Sequence, residues 1–213
     1  MKTTGYNDID LENLKNYYDI RTNSFWEHEI NIYEQLYRLY TKRNDLILNI
    51  FGNSKSAEEE AIKLNRLYFE IENYKYDKSL LDVVNSKLEE VGQKNIQLLL
   101  LNPDFMDIRI TNKKGFFNTF KQFAKLGIRN LEQGRFVVLI IGDTYSKSTL
   151  HLESSKCVQL LIKERLQLRT HIVKQTRKFF PKLSKVDSLW HYRALMKGFH
   201  LIDYLNIFIF TKT

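Results

Sequence analysis

The sequence of 213 residues predicts an α/β protein, a mainly parallel central sheet with helices on both faces. Short apolar runs of strand length alternate with longer amphipathic segments of helix length, the pattern of layered α/β folds. Two of the runs, "IQLLLL" (96–101) and "RFVVLII" (135–141), are almost wholly apolar, as strands buried on both faces must be. Two strands end in loop-forming residues, Phe51-Gly52 and Asn102-Pro103, at the carboxyl ends where such sheets bind ligands.

Each element follows from its pattern. Residues 27–41 fit a helix with Ile30, Tyr33, Leu36, Tyr37 and Tyr40 on one face. A strand at 45–51 and a helix near 56–65 come next, and "RLYFEIE" (66–72) alternates as a second strand. Residues 77–91 are amphipathic through Leu80, Leu81, Val84, Leu88 and Val91. "IQLLLLNPDF" (96–105) is a buried strand running into a turn, because Asn-Pro cannot continue it. Helices at 116–131 and 152–166 and strands at 135–143 and 168–175 follow, and "YLNIFIFTK" (204–212) closes the chain as an alternating strand. Residues 1–24 are polar and aromatic without periodicity, an N-terminal extension to an α/β domain at 25–213.

Composition narrows the function. Hydrophobic residues make up 43% and aromatics 13%, too many for a disordered chain. No apolar run has transmembrane length, and "MKTTGYNDID" has no apolar signal core, so an intracellular protein, cytoplasmic or nuclear, is expected. A single cysteine, Cys157, excludes an internal disulfide and a Cys-based zinc cluster; it lies on a helix's apolar face, as a core residue does. His28, His151, His171, His191 and His200 lack metal-ligand spacing, and no metal is expected. There is no Gly-x-Ser-x-Gly elbow for a hydrolase. The net charge of +8 suits a polyanion-binding surface, although a lysine-rich composition drawn from AT-rich codons yields the same number. In "KQTRKFFPKLSK" (174–185), Lys174, Arg177, Lys178, Lys182 and Lys185 surround Phe179 and Phe180, an arrangement suited to phosphate contacts with base stacking; a solvated surface loop has the same composition. Arg193 and Lys197 extend that basic region.

Five stretches in order resemble the DNA amino-methyltransferases, which methylate adenine N6 or cytosine N4 with S-adenosylmethionine. They are "LYRLYTKRNDLILNIFGNSKS" (36–56), "AIKLNRLYFEIE" (61–72), "LLLNPDFMDI" (99–108), "GRFVVLIIGDTYSKSTLHLE" (134–153) and "LWHYRALMKGFHLIDYLNIFIFTK" (189–212), the last two resembling the family's later strands. The resemblance implies a three-layer Rossmann-like methyltransferase fold with an antiparallel C-terminal strand. It implies a cofactor loop of Asn49, Phe51, Gly52, Asn53 and Ser54, with Glu72 on the cofactor ribose. It also implies a catalytic tetrapeptide Asn102-Pro103-Asp104-Phe105. There a flipped base would donate its exocyclic amine to the Asn102 side-chain oxygen and the Pro103 carbonyl, while Phe105 stacks on it. Read alone, "NPDF" is ordinary turn chemistry, Glu72 a solvated strand-end acid and Asp143 a structural one.

The departures bear on activity. The family's Asp-Pro is Asn49-Ile50, two loop glycines are Asn53 and Lys55, and Asp104 replaces the tetrapeptide's second proline. Glycine lets a backbone approach a ligand at positive φ; asparagine tolerates this and lysine does not. The Lys55 ammonium would also repel the cofactor's sulfonium unless it turns outward or meets the methionine carboxylate. About twenty residues between Glu72 and residue 96 leave little room for the family's third strand. The expectation is a methyltransferase-like nucleic-acid-binding subunit, noncatalytic or weakly active, working beside an active methyltransferase or as a homo-oligomer. The alternative is an active enzyme on DNA, with RNA not excluded as its substrate.

Overall fold

A computed structural model describes residues 5–52, 55–71, 79–103, 113–146, 149–176, 185–198 and 202–213. The strands are β1 (Phe25–Trp26), β2 (Leu46–Ile50), β3 (Leu67–Ile71), β4 (Ile96–Leu101), β5 (Leu131–Ile141), β6 (Thr144–Ser146), β7 (Thr149–His151), β8 (Leu166–Gln175) and β9 (Tyr204–Lys212). The helices are α1 (Ile32–Tyr40), α2 (Lys55–Lys63), α3 (Ser79–Glu90), α4 (Lys113–Asn130), α5 (Glu153–Lys163) and α6 (Lys185–Lys197). Among the described residues, seven strands form one sheet in the order β1-β8-β9-β5-β4-β2-β3, and β6 and β7 form a separate hairpin. Every sheet pairing is parallel except the two made by β9, which is antiparallel to β5 and β8. The expected sheet, with its antiparallel C-terminal strand, is the one observed.

The order of β2, β3 and β4 creates the ligand-binding end. From β2 the chain passes through α2 to β3 at the edge, then through α3 back across β2 to β4. Right-handed crossovers in opposite directions put their helices on opposite faces. Accordingly Val84 and Leu88 of α3 join one core with Leu46, Leu48 and Ile50, while Ala61 of α2 joins a second core with Ile47, Leu36 and Tyr37. The reversal between β2 and β4 opens a crevice at their carboxyl ends. Strand β3 is an edge of the sheet, so no third family strand stands beyond it among the described residues. On the first face α4 sits close enough that a Cβ on Gly127 would lie 2.6 Å from Leu99, which explains a glycine within a helix.

Some boundaries moved for identifiable reasons. Helix α1 starts at Ile32 rather than residue 27, because the Asn31 side chain caps it by accepting from the Tyr33 and Glu34 amides. Trp26, just before, is 1% exposed in the short strand beside β8. Part of the stretch matched to late family strands, 189–197, is helical in α6; among its described residues, those that pair in the sheet are 204–212.

The N-terminal segment is fastened at the opposite end of the sheet. Tyr6 meets Phe136 edge-on at 5.0 Å, and Asn7 Nδ2 donates to the Leu39 carbonyl at 2.8 Å. Arg66, 8% exposed, donates to Asp8 Oδ2 (2.9 Å), Thr41 Oγ1 (3.1 Å), the Thr41 carbonyl (2.9 Å) and the Leu64 carbonyl. Asp8 Oδ2 also accepts from the Arg43 amide at 2.7 Å. One planar fork thus ties three segments together. Arg66→Ala is expected to cost about 2–3 kcal/mol by leaving these acceptors unpaired, and Arg66→Lys to restore less than half of it. Urea unfolding of both variants checks this; a loss below about 0.5 kcal/mol for Arg66→Ala contradicts it.

Candidate cofactor crevice and substrate loop

Asn49 is the one polar residue in "LILNI", and it is fully buried. A carboxamide at such depth needs partners. Its Nδ2 donates to Tyr68 Oη at 2.8 Å, and Tyr68 Oη donates to Glu70 Oε2 at 3.0 Å. The parallel register sets this up by placing Ile47 beside Tyr68 and Asn49 beside Glu70. Asn49 Oδ1 has no partner among the described residues.

The loop after β2 is shaped around that side chain. Phe51 takes a left-handed φ of 67°, unusual for a bulky residue. Its amide donates to the Ile71 carbonyl (3.3 Å), and its buried ring packs in the core at 5.9 Å from Phe120 and 5.0 Å from Phe123. A Cβ on Gly52 would lie 1.8 Å from Asn49 Nδ2. Lys55 then opens α2 with an exposed side chain.

The second loop meets the first. The Asn102 amide donates to the Ile50 carbonyl at 3.1 Å, so both loops leave the same end of adjacent strands. Asn102 Nδ2 donates to Tyr33 Oη at 3.1 Å, and Pro103 is buried. Tyr33 stands beside Tyr37, whose hydroxyl donates to the Ala57 carbonyl at 3.1 Å. Burial, then the neighbouring Tyr68, Tyr33, Glu70 and Glu60, holds the Tyr37 phenol far above its ordinary range. Burial first, and Glu70 after it, does the same to Tyr68 despite the Asn49 bond.

Asn49, Phe51, Gly52, Asn102 and Pro103 therefore come together as expected. Asn53, Ser54, Glu72, Asp104 and Phe105 lie outside the described residues. Tyr33, read only as part of a helix's apolar face, and Tyr68 and Glu70 were not expected at the site; the available signal was a lone asparagine in a buried strand, which obliges a neighbour to supply a polar group. Asp143 is structural, accepting from the Ser154 amide and hydroxyl at 3.0 Å each, where α5 begins, and from Asn206 Nδ2 at 3.2 Å. Cys157 is fully buried, and burial raises its thiol pKa, as suits a core residue.

The basic stretch needs a correction. Lys174 is 5% exposed, and its Nζ donates to the carbonyls of Glu27 (2.7 Å), His28 (2.7 Å) and Gln175 (2.9 Å). Because β8 pairs with β1, this ammonium is drawn under the edge strand and binds backbone instead of phosphate. Burial lowers its pKa accordingly. Arg177, Lys178, Phe179, Phe180 and Lys182 lie outside the described residues, and Lys185 is the first residue of α6.

The described part of the loop fits S-adenosylmethionine poorly. A glycine in a cofactor loop leaves room for a ligand, but here the Asn49 carboxamide fills the room at Gly52. The Phe51 ring faces the core, and the exposed Lys55 adds a cation to the positive end of the α2 dipole, which makes the start of this helix no better a place for another cation.

No protein-family model matches the sequence, and no curated protein matches it. Solved structures do match. TrmN from Thermus thermophilus has a TM-score of 0.50 at 15% identity over 85% of this chain and 48% of its own. A candidate DNA modification methylase, also from Thermus thermophilus, gives 0.45 at 10% identity over 79% and 53%. A SAM-dependent methyltransferase from Methanosarcina mazei gives 0.46 at 12% over 82% and 95%. The chain thus spans about half the length of the first two. At 15% identity the likeness to TrmN is one of fold alone, a Rossmann-like α/β fold. No helix among the described residues is long and apolar enough to cross a membrane.

Two outcomes follow from the crevice. Gly52→Ala should cost about 1–3 kcal/mol by overpacking, yet be nearly silent in an Asn49→Ala background. A double-mutant cycle by urea unfolding should show coupling above about 1 kcal/mol; additive effects would refute the contact. The second outcome concerns alkali. Tyr37 and Tyr68 are strongly raised and Tyr40 is pushed up to about 12, chiefly by burial. Unfolded tyrosine ionises near about pH 10, so the stability these groups contribute is intact below that pH and is lost as pH climbs above it. Phenolate absorbance should show an early phase from exposed rings and a late phase coincident with loss of far-UV circular dichroism. Ionisation of all tyrosines in one step with the fold intact is the contrary result.

Proposed function

We propose that this chain is a methyltransferase-like nucleic-acid-binding subunit whose own cofactor crevice is closed, and that it works beside an active DNA methyltransferase. The observation behind this reading is the Asn49–Gly52 contact, in which a side chain of the protein takes the space that a cofactor loop keeps open. Lys55 and the buried Phe51 ring act in the same direction. The fold supports kinship with methyltransferases, and the charge of +8 supports a polyanionic partner.

The second reading, an active adenine-N6 or cytosine-N4 methyltransferase using S-adenosylmethionine, rests on Asn102. Its Nδ2 is held by Tyr33 at the crevice, which orients the carboxamide as a receiver of a base amine would need.

Calorimetric titration separates the two. The isolated chain should bind S-adenosylmethionine with a Kd no tighter than about 1 mM, equivalent to about −4 kcal/mol. Asn53→Gly with Lys55→Gly should tighten it measurably by restoring loop freedom and removing the cation. Submicromolar binding by the unaltered chain would establish the active reading instead. In a reconstituted complex, Asn102→Ala should leave methylation unchanged if the chemistry belongs to the partner.

A further inference from the structure

We infer that the outer surface of α4 and α5 is a DNA-binding face, separate from the crevice, that lies against the phosphodiester backbone of duplex DNA. This rests on the nucleic-acid reading above and assigns it a place. Charge is divided sharply along the chain. Residues 113–213 carry 19 Lys and Arg against six Asp and Glu, whereas residues 1–112 carry 14 against 19. The net positive charge therefore belongs to the second half.

Within that half the fold sorts the charge by side. Helix α4 contains no acidic residue. It buries Phe116, Phe120, Phe123, Ala124 and Leu126 against the sheet and leaves Lys121, Lys125 and Arg129 exposed. Spaced at i, i+4 and i+8, these three form one stripe about 12 Å long. Helix α5 lies alongside in the same direction. Lys156 Nζ sits 5.4 Å from the Phe117 ring centroid near its start, and Lys125 meets Glu164 at 3.4 Å just past its end. It buries Cys157 and Leu161 and exposes Lys156 and Lys163, and Arg165 is exposed in the turn that follows. Six cations thus share a two-helix face on which Glu164 is the neighbouring acid.

The layout favours duplex backbone over single strands. Proteins that hold single strands stack bases on exposed aromatic rings. Among the described residues, α4 turns Phe116, Phe120 and Phe123 inward, Phe117 lies under Lys156, and α5 has no aromatic residue. Packed helices lie with their axes about 8–10 Å apart, so cations rising from both helices span a surface on the scale of the roughly 12 Å wide major groove. Such a face makes phosphate contacts on either side of a groove and reads no base.

Fluorescence anisotropy with a labelled duplex of about 25 base pairs, titrated at several salt concentrations, provides the test. The face variant combines Lys121→Gln, Lys156→Gln and Lys163→Gln, leaving Lys125 paired with Glu164. A control combines Lys15→Gln, Arg21→Gln and Arg43→Gln, which removes the same charge from the other half. Circular dichroism and urea midpoints confirm that both are folded, and Lys121→Glu alone serves if the triple variant is not. The face variant should weaken binding at least about tenfold at low salt and lower the slope of log K against log salt by up to about 3, while the control keeps the wild-type slope. Wild-type affinity and slope in the face variant, with the wild type binding, would overturn this face and leave the nucleic-acid reading standing. Equal loss in the control would reduce the effect to net charge and also overturn it. Tighter binding of the single strand, or of an RNA duplex of the same sequence, would overturn the assignment to duplex DNA. If the wild type binds no nucleic acid at all, the underlying function falls, and this face with it.

Discussion

A carboxamide inside a buried strand is the constraint around which the crevice is organised. Strand β2 is covered on both faces, so Asn49 cannot reach solvent and must find its partner among neighbouring strands. The parallel register with β3 offers Tyr68, and Tyr68 passes the bond on to Glu70. With Asn49 held this way, residue 52 can carry no Cβ, and the chain turns through a left-handed Phe51 whose ring is drawn into the core. The phenols gathered around this chain are kept un-ionised by the same exclusion of water. One polar group thus shapes the turn, the glycine and the local electrostatics.

The scaffold around that crevice and the chemistry inside it have separate requirements. The sheet needs apolar strands in a given order, and β2, β4 and β5 supply them with side chains alternating between two cores. Each fully buried Leu or Ile there contributes on the order of 1.5–3 kcal/mol, a large sum that does not depend on what the loops bind. The loops need only enter and leave at the correct end. The crevice therefore stands whatever its loops bind, and here one of its walls is closed by the contact between Asn49 and Gly52.

Two lysines illustrate how position overrides composition. The sequence offers Lys174 for phosphate, yet its ammonium is taken up by backbone carbonyls beneath β1, and that of Lys212 by Ile128 and Leu131 at the end of α4. Burial lowers the pKa of both. By contrast, the lysines of α4 and α5 gain meaning only when two helices distant in sequence are seen side by side.

Strand identity, the alternation of helices and strands, and the convergence of residues 52 and 102 at one end of the sheet were legible in the sequence, because buried strands must be apolar and crossovers right-handed. Helix starts were less so: behind its Asn31 cap, α1 begins five residues later than the apolar pattern suggests, and a cap is a side-chain geometry before it is a residue type. The departures at Asn49, Asn53, Lys55 and Asp104 were also visible from the order of residues alone. Which way Asn49 turns, what fills the place of a Cβ at Gly52, that Tyr33 holds Asn102, and which lysines face solvent were decided by tertiary structure. Each depends on register or packing between segments 19 to 147 residues apart in the chain, and a linear pattern records the need for a partner without saying which distant residue meets it.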